Sequence, residues 1–274
     1  MARYWYAIIG WTCLSTVAAA DGIAYSCLFD ATLQDCGFRE QTQAAGRAVL
    51  VEIAGMRGVR LHTRPGDSHV SGSQDAERSD LALSQRASDC YEGKEHWWAH
   101  SVLFPDDYVA PPESTATTWR FGTVANFHNS APGAGQASFQ LLAMPVTAIS
   151  SDRPTGLNFQ INHGTQSRPT QVTYPIGPVV RNQWYHFVYH VQWSSAADGY
   201  FDAWVNGVKK MSYRGPTLYE GQGCYFKLAN YHSAFGQPSS VIHARVVRGS
   251  TAGAVSAGSL EGILHLRQAS RSGR

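Results

Sequence analysis

The 274-residue sequence has little charge, with 15% of residues charged and a formal net charge of +2. So small an excess argues against a nucleic-acid or membrane-surface role, and an acidic partner would have to be met by local positive charge. No stretch repeats at helical period, so a helical bundle is not expected. No Cys-x-x-Cys pair occurs, which weakens a zinc reading of the five cysteines. There is no Gly-x-Ser-x-Gly elbow and no phosphate loop, which leaves serine-hydrolase and nucleotide readings without support. Internal repeats and Asn-x-Ser/Thr sequons are also missing.

What remains is rich in turn formers and aromatics. With 26 Gly, 12 Pro and 12% aromatic residues, the composition favours short strands joined by tight turns. At its start, Arg3 is followed by a largely apolar stretch from Tyr4 to Val17, and Ala18-Ala19-Ala20 precedes Asp21. That pattern is expected of a secretory leader over 1–20, since the apolar part is shorter than the roughly 20 residues of a membrane span. Cys13 falls in the leader, leaving Cys27, Cys36, Cys90 and Cys224. Four cysteines in an exported protein suggest two disulfides with three possible pairings. Cys27 with Cys36 and Cys90 with Cys224 is preferred, because the first two are close enough in sequence to staple a hairpin.

From Tyr25 to about Ser250 short alternating runs are punctuated by Gly, Pro, Asn and Asp, which reads as one domain over 21–250. The clearest strand is Trp184–Trp193. Tyr185, Phe187, Tyr189, Val191 and Trp193 share one face, and Trp184, His186, Val188, His190 and Gln192 the other. A strand over Tyr200–Val205 and a type I′ turn at Asn206-Gly207 should follow. Polar loops are expected at 64–76, 128–136 and 150–155. Residues 251–274 read as a flexible tail with one short helix near Leu260–Leu266.

Three segments carry chemistry when read as strands. Glu77–Leu83 sets Arg78, Asp80 and Ala82 on one face, with Ser79, Leu81 and Leu83 toward a core. In Trp119–His128, Asn126 and His128 lie opposite Phe127. In Cys224–His232, Tyr225, Lys227, Ala229 and Tyr231 lie opposite Phe226 and Leu228. If these strands are neighbours, their polar sides form a groove of Arg, Asn, His, Lys and Tyr. Such a groove suits β-elimination from a uronate. The C5 proton is weakly acidic, because its carbanion delocalises into a carboxylate that is already negative. An Arg and a neutral amide can stabilise that charge, a His or Tyr can remove the proton, and a Tyr or water can protonate the leaving oxygen. No metal or organic cofactor is required for that chemistry.

The segments Arg78-Ser79-Asp80-Leu81-Ala82, Asn126-Phe127-His128 and Tyr225-Phe226-Lys227-Leu228-Ala229-Asn230-Tyr231 resemble the motif set of the jelly-roll polysaccharide lyases. That group includes the alginate, glucuronan and heparin I lyases. Trp97–Pro105 and Trp193–Gly207 extend the resemblance over most of the chain after the leader. It implies an all-β jelly roll, a concanavalin-like sandwich of two antiparallel sheets. Arg78 and Asn126 would neutralise the substrate carboxylate, and His128 would be the base. Tyr231 would be the acid, and the base for the other C5 epimer, while Lys227 and Tyr225 would bind substrate. Asn126 stands where the group has Gln, Ala82 where it has a second Arg, and Asp80 where it has Glu. The implied partner is an acidic polysaccharide met by a secreted or periplasmic monomer, with no nucleic acid and no membrane after leader removal. A structural calcium ion is implied by analogy, without assigned ligands. His186 and His190 would lie about 13 Å apart on a strand, too far to share a metal.

A glycoside hydrolase on a similar sandwich would need two carboxylates about 5–5.5 Å apart or wider, and Asp75 and Glu77 are the nearest candidates. A lectin-like module would use the same aromatics for sugar stacking.

Overall fold

The computed structural model describes residues 22–68, 76–115, 118, 120–131, 136–144, 156–165 and 167–256. The expected leader at 1–20, Asp75, the loop at 150–155 and the helix near 260–266 lie outside the described residues.

Alternating apolar and polar residues give strands with one buried side, and two such sheets bury those sides against each other. The back sheet runs β13 (Val208–Arg214), β12 (Tyr200–Val205), β11 (Trp184–Gln192), β6 (Glu95–Leu103), β15 (Ser239–Gly249), β4 (Met56–Thr63), β3 (Ala48–Ile53), with β1 (Ile23–Cys27) also on β15. The front sheet runs β10 (Arg168–Gly177), β9 (Gly156–Thr165), β8 (Phe139–Met144), β7 (Gly122–Asn129), β14 (Cys224–Ser233), β5 (Ala76–Ala82), β2 (Arg39–Thr42). Every ladder between these strands is antiparallel. The fold is the expected jelly-roll sandwich.

One core joins the sheets. Trp98 from β6 stacks on Phe226 of β14 at 5.1 Å and meets Phe127 of β7 edge-on at 5.3 Å. Phe139 of β8 stacks on Phe201 of β12 at 4.2 Å. Burying each such ring contributes roughly 1.5–3 kcal/mol. In β11, Tyr185, Phe187, Tyr189 and Val191 are buried and the alternating residues half-exposed, as the sequence pattern requires. Asn206 and Gly207 both have positive φ, 49° and 79°, the geometry of the type I′ turn.

Both disulfides form as preferred, Cys27–Cys36 and Cys90–Cys224. The expectation that the first staples a hairpin is corrected. β1 belongs to the back sheet and β2 to the front one, so the bond closes a crossover between sheets. The second spans 134 residues and anchors the first residue of β14 beside α1 (Gln85–Ser88). A loop of that length constrains the unfolded chain by about 5 kcal/mol in the chain-entropy account.

The tail reading is also corrected for its first residues. α2 (Ala252–Ser256) packs on the back sheet, with Ala254 and Val255 buried. The small and apolar residues of Ala252-Gly253-Ala254-Val255 allow that close seat.

Candidate active site

The three chemistry-bearing segments become β5, β7 and β14, and β14 lies between the other two in the front sheet. Their polar faces therefore form one surface. Register arranges it in tiers. Tyr225 stands opposite His128, Lys227 opposite Asn126 and Ala82, Ala229 opposite Asp80, and Tyr231 opposite Arg78 and Thr123. A β-bulge keeps the last tier in phase. Between Thr123 and Ala125 the pairing of β7 shifts, and Val124 and Ala125 both join the core, so Thr123 shares the Asn126 face despite odd spacing.

In the first tier the His128 and Tyr225 rings stack at 5.2 Å and 28°. His128 Nδ1–H donates to the Asn129 carbonyl at 3.0 Å, which leaves Nε2 as the ring's lone-pair nitrogen. Burial lowers the His128 pKa, and the Lys227 and Arg78 charges act in the same direction against the Asn129 hydrogen bond. A neutral imidazole with a fixed tautomer is the form a general base requires.

The middle of the surface holds a buried ion pair. Lys227 Nζ donates to Asp80 Oδ2 at 2.7 Å, and the side chains are 3% and 0% exposed. Burial lowers the Lys227 pKa, opposed by Asp80. Arg78 Nε lies 3.9 Å from the same carboxylate oxygen. Beside the pair, Asn126 Oδ1, Arg78 Nε and Asp80 Oδ1 are buried with no hydrogen-bond partner. Buried polar atoms left unpaired cost about 1–3 kcal/mol each, and such atoms concentrate where a ligand completes them.

In the last tier the Arg78 guanidinium carbon sits 4.0 Å from the Tyr231 ring centroid. Phe121 meets that ring edge-on at 4.9 Å. Tyr231 and His128 are not side by side. Thr123, opposite Tyr231, is five residues from His128 along β7, or roughly 17 Å of strand. The six candidate residues thus lie along one face of the front sheet and do not ring a single point.

The resemblance assigned Lys227 to substrate binding, and in the structure its ammonium pairs with Asp80. Sequence reasoning missed the far half of the groove. Asn126 pairs with Gln140 of β8, and Gln140 with Gln160 of β9. The signal was present in Phe139-Gln140-Leu141 and Asn158-Phe159-Gln160-Ile161-Asn162, where amides alternate with core residues. Of the hydrolase candidates, Glu77 is buried on the side of β5 away from Arg78, with Gly66 N–H donating to Oε1 at 3.0 Å. Among the described residues no group of three or more His, Cys, Asp or Glu side chains is disposed to hold a metal ion.

The antiparallel sandwich with a polar face on its front sheet is a jelly-roll protein. Residues 30–246 match the family model described as polysaccharide lyase; the chain belongs to that family and is a polysaccharide lyase. No curated protein matches the sequence. Among solved structures, the endo-β-1,4-glucuronan lyase of the fungus Trichoderma reesei aligns with TM-score 0.58 and 16% identity over 78% of this chain and 92% of that one. The product complex of family 7 alginate lyase A1-II′ gives 0.50 and 12% over 76% and 85%. The binding domain of Paraclostridial Mosquitocidal Protein 1 gives 0.51 and 8% over 84% and 49%. At these identities the likeness is one of fold alone.

Proposed function

We propose that the protein cleaves a uronic-acid-containing polysaccharide by β-elimination, with the reacting ring lying over Ala229 between the His128 and Tyr231 tiers. The observation that carries this reading is the His128 ring, whose Nδ1–H is held by the Asn129 carbonyl so that Nε2 keeps its lone pair, on the same sheet face as the Arg78–Tyr231 stack. Ala229, the smallest side chain of β14 on that face, lies opposite Asp80 between the two tiers.

In this reading Arg78 and the Asn126 amide take the substrate carboxylate, and the partnerless Arg78 Nε supports that role. His128 Nε2 removes the C5 proton. The electrons of that C–H bond form the C4–C5 double bond as the C4–O4 bond breaks, and Tyr231 O–H protonates the departing oxygen. Donors aimed at the developing charge supply most of the stabilisation, while the positioned base contributes about 10²–10⁴ in rate. Lys227 acts through its charge, held in place by Asp80, and Tyr225 supports the His128 ring.

The two disulfides and the leader-like residues 1–20 support action outside the cytoplasm. The test is to incubate the full chain with soluble polyuronates and follow ultraviolet absorbance of the unsaturated uronate end. New reducing ends without that absorbance would mean hydrolysis and would overturn elimination.

A further inference from the structure

Edge strand β2 adds two polar side chains to the reactive face of the front sheet. Its pairing with β5 sets Arg39 opposite Ala82 and Gln41 opposite Asp80, and residues directly opposite on an antiparallel pair share a face. One row therefore crosses four strands as Arg39, Ala82, Lys227 and Asn126. Ala82 raises only a methyl between the two cations. The base of this arm is fixed. Phe38, just before Arg39, is buried and stacks on Phe29 at 6.2 Å, and the Cys27–Cys36 bond closes behind it.

Arg39 differs from other arginines of the fold. Arg47 is paired with Asp67 and Arg214 with Asp202. Arg39 is exposed, and among the described residues no hydrogen bond or ion pair engages its guanidinium. Its charge nevertheless reaches the site. Burial raises the Tyr225 pKa, and Arg39 is the foremost of the charges opposing that rise, ahead of Arg78. Beside it, Gln41 Oε1 is buried without a partner. A free guanidinium presents a fork of N–H donors matched to a carboxylate, and an unpaired amide oxygen accepts from a hydroxyl. Strands lie about 4.8 Å apart and β5 separates β2 from β14, so these two groups face a sugar other than the one over Ala229.

We propose that Arg39 binds the carboxylate of a second uronate along the polymer, with Gln41 Oε1 accepting a hydroxyl of the same sugar. The proposal rests on the elimination reading above and adds a subsite to it. The experiment measures kcat and KM by unsaturated-uronate absorbance for the full chain and for its Arg39→Ala and Arg39→Lys variants. The substrates are homopolymers of glucuronate, mannuronate and guluronate and a glucuronate-containing heteropolymer, each at low and high salt. On the polymer cleaved best, Arg39→Ala raises KM by about fivefold at low salt, the scale of one solvent-exposed charge pair, and the loss falls on KM rather than kcat. Arg39→Lys keeps the charge without the fork and recovers part of that loss. At about 1 M salt, where the screening length shrinks to about 3 Å, the gap between Arg39→Ala and the parent chain closes. A KM unchanged by Arg39→Ala, a loss confined to kcat, or a defect undiminished at high salt overturns the subsite and leaves elimination standing. Unsaturated product from none of the polymers with the parent chain removes the elimination reading and this inference with it.

Discussion

The two sheets share a core and differ in their outer faces. Across β6, β11, β12 and β13 of the back sheet several polar and aromatic groups pair with one another, although Trp184 Nε1 and Arg245 Nε of that sheet are buried without a partner. Trp97 stacks on His190 at 4.1 Å and on Trp204 at 5.5 Å, and His190 Nε2 meets Glu95 at 2.7 Å. Asp202 accepts from Arg214 and Ser212, each at 2.8 Å, and Lys209 Nζ lies 3.1 Å away. Those contacts hold the Asp202 carboxyl down at about 2. The front sheet instead buries an ion pair at its centre and leaves Asn126, Arg78 and Asp80 with unpaired atoms. What sets the front face apart is the buried Lys227–Asp80 pair at its centre, flanked by the Arg78–Tyr231 stack.

The sharpest way to break this comparison is to remove groups on the front face and look for lost chemistry without lost stability. His128→Ala and Tyr231→Phe should each lower kcat by about 10²–10⁴ while the melting temperature and polymer binding change little. Because burial lowers the His128 pKa, the acidic limb of kcat/KM should fall below 6.5, and His128→Ala should abolish that limb. An unchanged rate in both variants would sink the site.

The buried pair should behave oppositely. Asp80→Asn leaves the Lys227 ammonium without its counter-charge and should cost about 3–5 kcal/mol in urea unfolding. Replacing both, as Asp80→Asn with Lys227→Met, should recover part of that loss.

Between the sheets, His232 and His243 are held down to about 4 by burial. His232 Nε2 meets Thr63 Oγ1 at 2.8 Å, and His243 Nε2 meets the Ala229 carbonyl at 3.1 Å. Below 6.5 the unfolded chain takes up protons that the folded chain refuses. Stability present above 6.5 should therefore fall as pH drops toward 4, by up to about 3 kcal/mol per histidine. Thermal unfolding across that range checks it, and a flat profile would contradict it. The smallest effect belongs to the back face, where Lys209→Ala removes a half-exposed partner of Asp202. It should shift stability by less than about 1 kcal/mol and leave lyase activity unchanged.

Much of this was legible in the chain. Period-two alternation determined that Arg78, Asn126, His128, Lys227 and Tyr231 each share a strand side opposite core residues, because successive side chains on a strand point to opposite faces. The isolated Asn206-Gly207 determined its turn, since both positions need positive φ. Spacing of the four cysteines narrowed the disulfides without fixing what they join.

Only the tertiary structure decided which strands are neighbours and in what register. Asp80 and Lys227 are 147 residues apart, and no local rule tells a lysine that its partner is the aspartate of another strand. The Val124 bulge that returns Thr123 to the groove, and the seating of Gln140 and Gln160 beside Asn126, have the same origin. Side-chain facing is local, set by backbone geometry within a few residues. Register is set by how two whole hydrophobic faces pack, and that is known only once the sheets have closed on each other.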